Sequence, residues 1–263
     1  MQSDATLPAR LPLTVVIPAF QEAEAIRSGR LEEVLSWAAA RPEPTEVLVV
    51  DDGSSDETAT LAAACGATVR TIPHGGKAAA LRAGIEHARG EIVLLTDMDL
   101  ATPIGEAPAL LAALEGGADV ALGSRGRRRT GAPPGRWLMS LGHGGLQRLL
   151  VGLPWADTQC GFKAFRRDAS LPLLARLRRY GPGSGAGVSG PSVGSGFDVE
   201  LLLAARRAGL RVAEVPVSWH YRRTHRVSKL RDAWRGALDL LAIARADRAG
   251  AYAPPSPPGG GLG

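Results

Sequence analysis

The sequence predicts an α/β domain: a mostly parallel sheet flanked by helices, folded as a single unit. Three observations carry that expectation. Short apolar runs alternate with helix-length segments through the first hundred positions, the pattern of strands joined by right-handed helical crossovers. Val47-Leu48-Val49-Val50 is apolar without interruption, as in a strand covered on both faces. Hydrophobic residues make up 45% of the chain but aromatics only 5%, so the apolar content is mostly Ala, Leu and Val, as in helices packed on a sheet.

In order along the chain, residues 1–10 read as a flexible lead. Leu11–Ala19 is the first strand, with Val15, Val16 and Ile17 β-branched and Pro18 near its end. A helix is expected over Gln21–Ala40. The second strand ends in Asp51-Asp52-Gly53, and Ser54 with Glu57 has the spacing of a capping box opening the next helix. Asp56 and Glu57 read as capping acids there. A strand at Thr68–Ile72, a helix over Lys77–Ala88 and a strand at Glu91–Asp97 continue the alternation. Val120–Ser124 is a further strand, followed by a loop carrying Arg125, Arg127, Arg128, Arg129 and Arg136. Trp137–Trp155 is apolar, with Arg148 alone, yet its glycines weaken it as a helix. Gly161–Arg166 and Arg211–Val217 read as strands flanking a helix over Phe197–Ala208. The Gly/Ser-rich stretch 181–196 reads as a mobile insert. Lys229–Arg248 is helical, with Leu230, Trp234, Leu238 and Leu241 on one face. The folded unit therefore spans 11–248, and 249–263, rich in Pro and Gly, reads as a disordered tail.

Bulk properties narrow the function classes. The formal charge is +5 and the arginines cluster, so phosphates, anionic lipid and nucleic acid are all candidate partners for that loop, against a simple solvated turn. Cys65 and Cys160 lack any CxxC or zinc spacing and read as reduced thiols of a cytoplasmic protein. No signal peptide and no membrane-spanning apolar run is apparent.

The chemistry concentrates at Leu94-Leu95-Thr96-Asp97-Met98-Asp99. Residues i and i+2 of a strand point the same way, so Asp97 and Asp99 can converge on one cation. The carboxyl ends of parallel strands are where α/β sheets bind ligands. Oxygen ligands of this kind suit Mg²⁺ or Mn²⁺ bridging carboxylates to a substrate's phosphates. The alternative for such a pair is two solvated turn acids.

Four ordered motifs then resemble the family 2 glycosyltransferases of the GT-A (Rossmann-like) type. Val16-Ile17-Pro18-Ala19-Phe20-Gln21-Glu22 is similar to the family's V-I-P-A-Y-N-E, and Val49 through Thr58 to its V-V-D-D-G-S-x-D-x-T. Gly75-Gly76-Lys77 resembles its G-K-G loop without the second glycine, and Thr96-Asp97-Met98-Asp99 its T-D-A-D. Asp157-Thr158-Gln159-Cys160-Gly161-Phe162-Lys163 resembles the branch that glycosylates polyprenyl phosphates, the dolichyl-phosphate glucosyl- and mannosyltransferases.

The resemblance implies an inverting, metal-dependent hexosyltransferase. Pro18, Ala19, Phe20 and Glu22 would lie against the nucleotide's base and ribose, with Asp51 or Asp52 accepting hydrogen bonds. Lys77 would touch a phosphate or simply start a helix, and Met98 would line the donor between Asp97 and Asp99, the metal ligands. Arg125, Arg226 and Lys229 would face the acceptor phosphate, with Asp157 and Asp198 the candidate bases beside Arg125 in the catalytic set. Expected partners are a nucleotide-sugar (UDP-glucose ahead of GDP-mannose) and a polyprenyl phosphate or other small acceptor, with Mg²⁺ or Mn²⁺ as cofactor. A soluble acceptor of secondary-metabolite or polysaccharide synthesis is the alternative. A cytoplasmic location follows, with peripheral contact at the cytoplasmic membrane face through Trp137–Trp155 and the basic Lys229–Arg248 helix, unless those stripes are core packing. A nucleotidyltransferase would want a glycine-rich, arginine-bearing loop where Pro18–Glu22 stands. No base-reading motif supports nucleic acid as a partner.

Overall fold

The computed structural model describes residues 11–125, 129–130, 144–181, 195–221 and 229–253. Nine strands are present among them: β1 (Leu11–Ala19), β2 (Thr45–Asp51), β3 (Thr68–Thr71), β4 (Gly90–Leu95), β5 (Val120–Ser124), β6 (Arg129–Thr130), β7 (Lys163–Arg166), β8 (Val212–Pro216) and β9 (Trp219–His220). Seven form one sheet in the order β3-β2-β1-β4-β7-β5-β8, and β6 pairs with β9 in a small ribbon. All neighbours in the large sheet are parallel except β7, which runs antiparallel to both β4 and β5. The expectation of a mostly parallel α/β sheet holds.

Side-chain alternation explains the unbroken apolar runs. Val15, Ile17, Val47 and Val49 enter one core, with Ile26, Leu31 and Val34 from α1 (Ala23–Arg27) and α2 (Arg30–Ala39). Val16, Leu48, Val50 and Leu95 enter the other, with Ala80 and Leu81 of α4 (Lys77–His87). Both faces are buried, so a polar residue would be costly at either parity. Between α2 and α4 lies α3 (Thr58–Ala64); then come α5 (Ala107–Glu115), α6 (144–151), α7 (Arg167–Leu174), α8 (Ser195–Arg207) and α9 (Lys229–Arg248).

Two local expectations are corrected, and one reading left open is narrowed. The helix expected over Gln21–Ala40 is two helices, broken at Gly29, whose φ is +85°. The capping box does not form: α3 begins only at Thr58, because the Ser54 hydroxyl accepts from the Gln21 backbone N–H at 2.9 Å. Asp56 does cap, accepting from Thr58 N at 3.1 Å, while Glu57 pairs with Arg27. Finally, of the two readings left open for the apolar stripe of α9, core packing does not describe Leu238 and Leu241. Leu240, Ile243 and Ala244 are buried, whereas Leu238 is 48% and Leu241 38% exposed. The reason is Asp239, which turns inward to accept from the Tyr180 hydroxyl at 2.6 Å and from Arg179 Nε at 3.0 Å.

The lead 1–10, most of the arginine loop, most of the 181–196 insert, Arg226 and most of the 249–263 tail lie outside the described residues; Lys229 is described in its backbone alone. Neither cysteine forms a disulfide, and Cys160 is buried while Cys65 is half-buried. Among the described residues, no helix is long and apolar enough to cross a membrane.

Candidate active site

Because β1, β2 and β4 are parallel, their carboxyl ends share one edge, and the sequence motifs stand at each. Asp52 N donates to Ala19 O at 2.8 Å and Thr96 N to Val16 O at 3.1 Å, tying the three motif loops together. The Asp51 carboxylate accepts from Ser54 N at 3.2 Å. Asp52 is turned toward its neighbours in space: Oδ1 accepts from Gly75 N and Oδ2 from Gly76 N, both at 2.8 Å. His74 Nδ1 lies 2.9 Å from Asp52 Oδ2, and its ring stacks on Phe20 with centroids 4.3 Å apart. Asp52 thus builds the loop that leads into α4, and the Phe20–His74 pair offers a flat aromatic wall beside it. Pro18 is half-buried, Ala19 is buried, and Glu22 N donates to the Thr58 hydroxyl at 2.8 Å. The Met98 side chain is buried in the core, so only its backbone is placed to meet a ligand.

The Asp97 carboxylate sits between a cation and a closely packed glycine. Lys77 Nζ is 2.5 Å from Oδ1. On the Oδ2 side stands Gly161, where a Cβ would come within 2.4 Å. Burial alone would raise the Asp97 carboxyl, but Lys77, with Lys163 and Arg125 beyond it, outweighs burial and holds it below the usual carboxylate value. Burial would likewise lower Lys77, and Asp97, Asp198 and Asp99 reverse that. Asp99 Oδ1 accepts from Ala101 N at 3.0 Å.

A second set converges from the late half of the chain. Arg125, one residue past β5, grips Asp157 with Nε and Nη2, each at 2.6 Å, and its guanidinium lies 5.6 Å from the Trp219 ring centroid. Burial works against the Arg125 charge, and Asp157 more than restores it. Such a fork matches a carboxylate in a way lysine does not. Lys163, the first residue of β7, is fully buried; Nζ is 2.7 Å from Asp198 Oδ1 and also donates to the Cys160 carbonyl. Asp198 lies in the first turn of α8, where a helix favours an acid. The result is an alternating row of Lys77, Asp97, Lys163, Asp198, Arg125 and Asp157.

Of the residues singled out by sequence, Asp51, Asp52, Lys77, Asp97, Asp99, Arg125, Asp157 and Asp198 come to this one edge. His74, Trp219 and Lys163 were not anticipated as site residues. Lys163 carried a signal, its place at the end of the Asp157–Lys163 motif; His74 and Trp219 carried none.

The model of glycosyl transferase family 2 matches residues 14–171. The chain belongs to that family. This family 2 glycosyltransferase is 32% identical to a dolichyl-phosphate beta-glucosyltransferase of Trichomonas vaginalis, over 93% of the chain and 74% of the relative. It is 33% identical to glycosyltransferase AglD of Haloferax volcanii over 85% of the chain, but spans only 35% of that protein's length. With its named glucosyltransferase relatives, it is a hexosyltransferase. Among solved structures, glucosyl-3-phosphoglycerate synthase of Mycobacterium tuberculosis in complex with UDP superimposes with a TM-score of 0.62 at 25% identity, covering 89% of this chain and 80% of that one. The same synthase has been crystallised with Mn²⁺, UDP and its product; at 24% identity that complex speaks for the shared GT-A fold.

Proposed function

We propose that this enzyme moves glucose from UDP-glucose, with GDP-mannose the second candidate donor, to a polyprenyl phosphate by a single inverting displacement. One observation carries the reading: the Asp97 carboxylate, pinned by Lys77 opposite Gly161, stands at the same sheet edge as a second set of paired charges, Arg125 with Asp157 and Lys163 with Asp198. The Trichomonas relative supports the lipid-phosphate acceptor, and the UDP complex of the mycobacterial synthase supports the nucleotide.

The residues present fit a divalent ion. Asp97 and Asp99 would hold it, and Gly161, lacking a side chain, lets the Asp97 carboxylate keep its place beside the loop. Among the described residues no set of three His, Cys, Asp or Glu could enclose a metal. The remaining ligands would be diphosphate oxygens and water, which suits Mg²⁺ or Mn²⁺. When bound, such an ion offsets charge developing on the leaving nucleoside diphosphate. The chain's own part is placement. Phe20 and His74 wall the base, and Asp51 takes a hydrogen bond from base or ribose. Arg125, with Arg226 and Lys229, orients the acceptor phosphate. A phosphate monoester, with a second pKa near ~6, is already ionised at neutral pH, so orientation matters more than proton removal. Where an acceptor hydroxyl attacks instead, Asp198 is the better-placed base, since Arg125 occupies both oxygens of Asp157.

The soluble-acceptor alternative is favoured by the phosphoglycerate synthase likeness and by the lack of a membrane-crossing helix among the described residues. We place the enzyme in the cytoplasm, touching the membrane through the exposed Leu149, Leu238 and Leu241. Purified enzyme given radiolabelled UDP-glucose or GDP-mannose, Mn²⁺ or Mg²⁺, and either short-chain polyprenyl phosphate or 3-phosphoglycerate tests these readings together. Label entering the organic phase is expected. Label confined to a water-soluble product would overturn the lipid acceptor.

A further inference from the structure

We propose that Lys163 is a positioning residue: its buried ammonium sets Asp198 at the acceptor edge. This rests on the function proposed above and deepens it. Lys163 opens β7, paired in register with Leu95 of β4 on one side and Leu122 of β5 on the other. It therefore stands at the rim where β4 ends, two positions before Asp97 in register. Its side chain is fully buried, a place where lysine is almost never found unless paired. Nζ meets Asp198 Oδ1 at 2.7 Å and the Cys160 carbonyl, so the cation fastens three separate pieces: β7, the loop before it and the first turn of α8. Asp198 keeps 15% of its side chain exposed, so the pair is sealed on the lysine side and open on the carboxylate side. The arrangement fixes one oxygen of Asp198 from beneath and presents the side chain to the acceptor.

The test is a double-mutant cycle on turnover with Lys163→Met, Asp198→Asn and the pair together, each assayed with whichever acceptor, polyprenyl phosphate or 3-phosphoglycerate, the wild type uses. Lys163→Met is expected to lower kcat about a hundredfold while the KM for UDP-glucose changes less than about threefold. In the Asp198→Asn background the same change should add little, because both act through one carboxylate. Lys163→Arg should restore part of kcat. Should Lys163→Met fail to fold because Asp198 is left uncompensated, the double variant removes that charge and is compared with Asp198→Asn alone. Losses that multiply across the cycle, or a lowered melting temperature with unchanged kcat below it, would overturn the proposal. Loss of the Mn²⁺-dependent thermal shift with UDP in the wild type would instead count against the donor-site reading.

Discussion

Gly161 is kept small by the acid in front of it. A methyl group there would stand 2.4 Å from Asp97 Oδ2, so one of the two must move. Gly161→Ala is expected to fold but to lose the rise in melting temperature that Mn²⁺ adds to UDP, read by thermal shift. Asp97→Asn and Asp99→Asn should behave alike, retaining the UDP-free melting curve; a variant that kept the full metal-dependent rise would exclude its residue as a ligand. Arg125→Lys tests a different feature, the two-pronged grip on a buried acid. Removing the fork weakens the side-chain grip on Asp157, 5% exposed, while the backbone N–H of residue 125 still donates to it at 3.0 Å; the loss is on the order of 3–5 kcal/mol if the side-chain pair breaks, seen as a shifted urea midpoint. At this scale sequence reading found the carboxylates well, because Asp97 and Asp99 announce themselves by local spacing at a strand end. Lys163 and His74 were missed as site residues for the opposite reason. Their roles depend on partners from other segments, Asp198 for one and Asp52 with Phe20 for the other, which no local pattern exposes.

Helix α4 lies so close to the sheet that Gly84 meets Val16; a Cβ there would fall 2.2 Å from Val16 Cγ1. Gly84→Ala should cost about 1–3 kcal/mol through overpacking, despite alanine's better helix propensity, and should blunt Lys77 indirectly by lifting the helix that carries it. Denaturant melts of this variant would show whether propensity or packing wins. Helix α9 supplies a paired comparison. Leu240→Ala, in the packed face, should lose about 2–5 kcal/mol, whereas Leu238→Ala, 48% exposed, should stay within about 0.5 kcal/mol of the parent. The reverse ranking would make core packing the role of Leu238 and Leu241. Sequence left the buried face of α9 open because both of its stripes contain leucines, so apolar spacing alone could not choose between them. What chose was a polar residue, Asp239, held by Tyr180 and Arg179. The strands, by contrast, were legible almost to the residue, since β1, β2 and β5 are apolar on both faces and admit one reading.

Across the whole molecule, the far end is fastened by Glu200. This fully buried acid accepts from the backbone N–H groups of Arg178, Arg179 and Tyr180 and from the Tyr252 hydroxyl at 2.5 Å, joining α8 to the segment after α7 and to the residues that follow α9. Burial, then Glu200, raises the Tyr252 phenol above its ordinary value; burial, then Asp239, does the same for Tyr180. A raised folded value means the stabilisation is complete below the unfolded phenol value near ~10 and is lost as pH climbs beyond it. The melting temperature should therefore fall above pH ~10, and Tyr252→Phe should flatten that fall; identical alkaline slopes would deny the phenol this role. The order of the sheet was the least legible property at this scale. A strand of four residues such as β7 reads the same in either direction, so its reversal between two parallel neighbours left no trace in the pattern. That reversal divides the labour along the chain. On the function proposed above, most residues that would grip the nucleotide lie before β5, and those that would meet the acceptor lie after it, with β7 bringing Gly161 and Lys163 back to the same rim. A lineage could therefore exchange its acceptor by rewriting the later half alone, and a chimera joined just before Val120 would inherit its donor from one parent and its acceptor from the other.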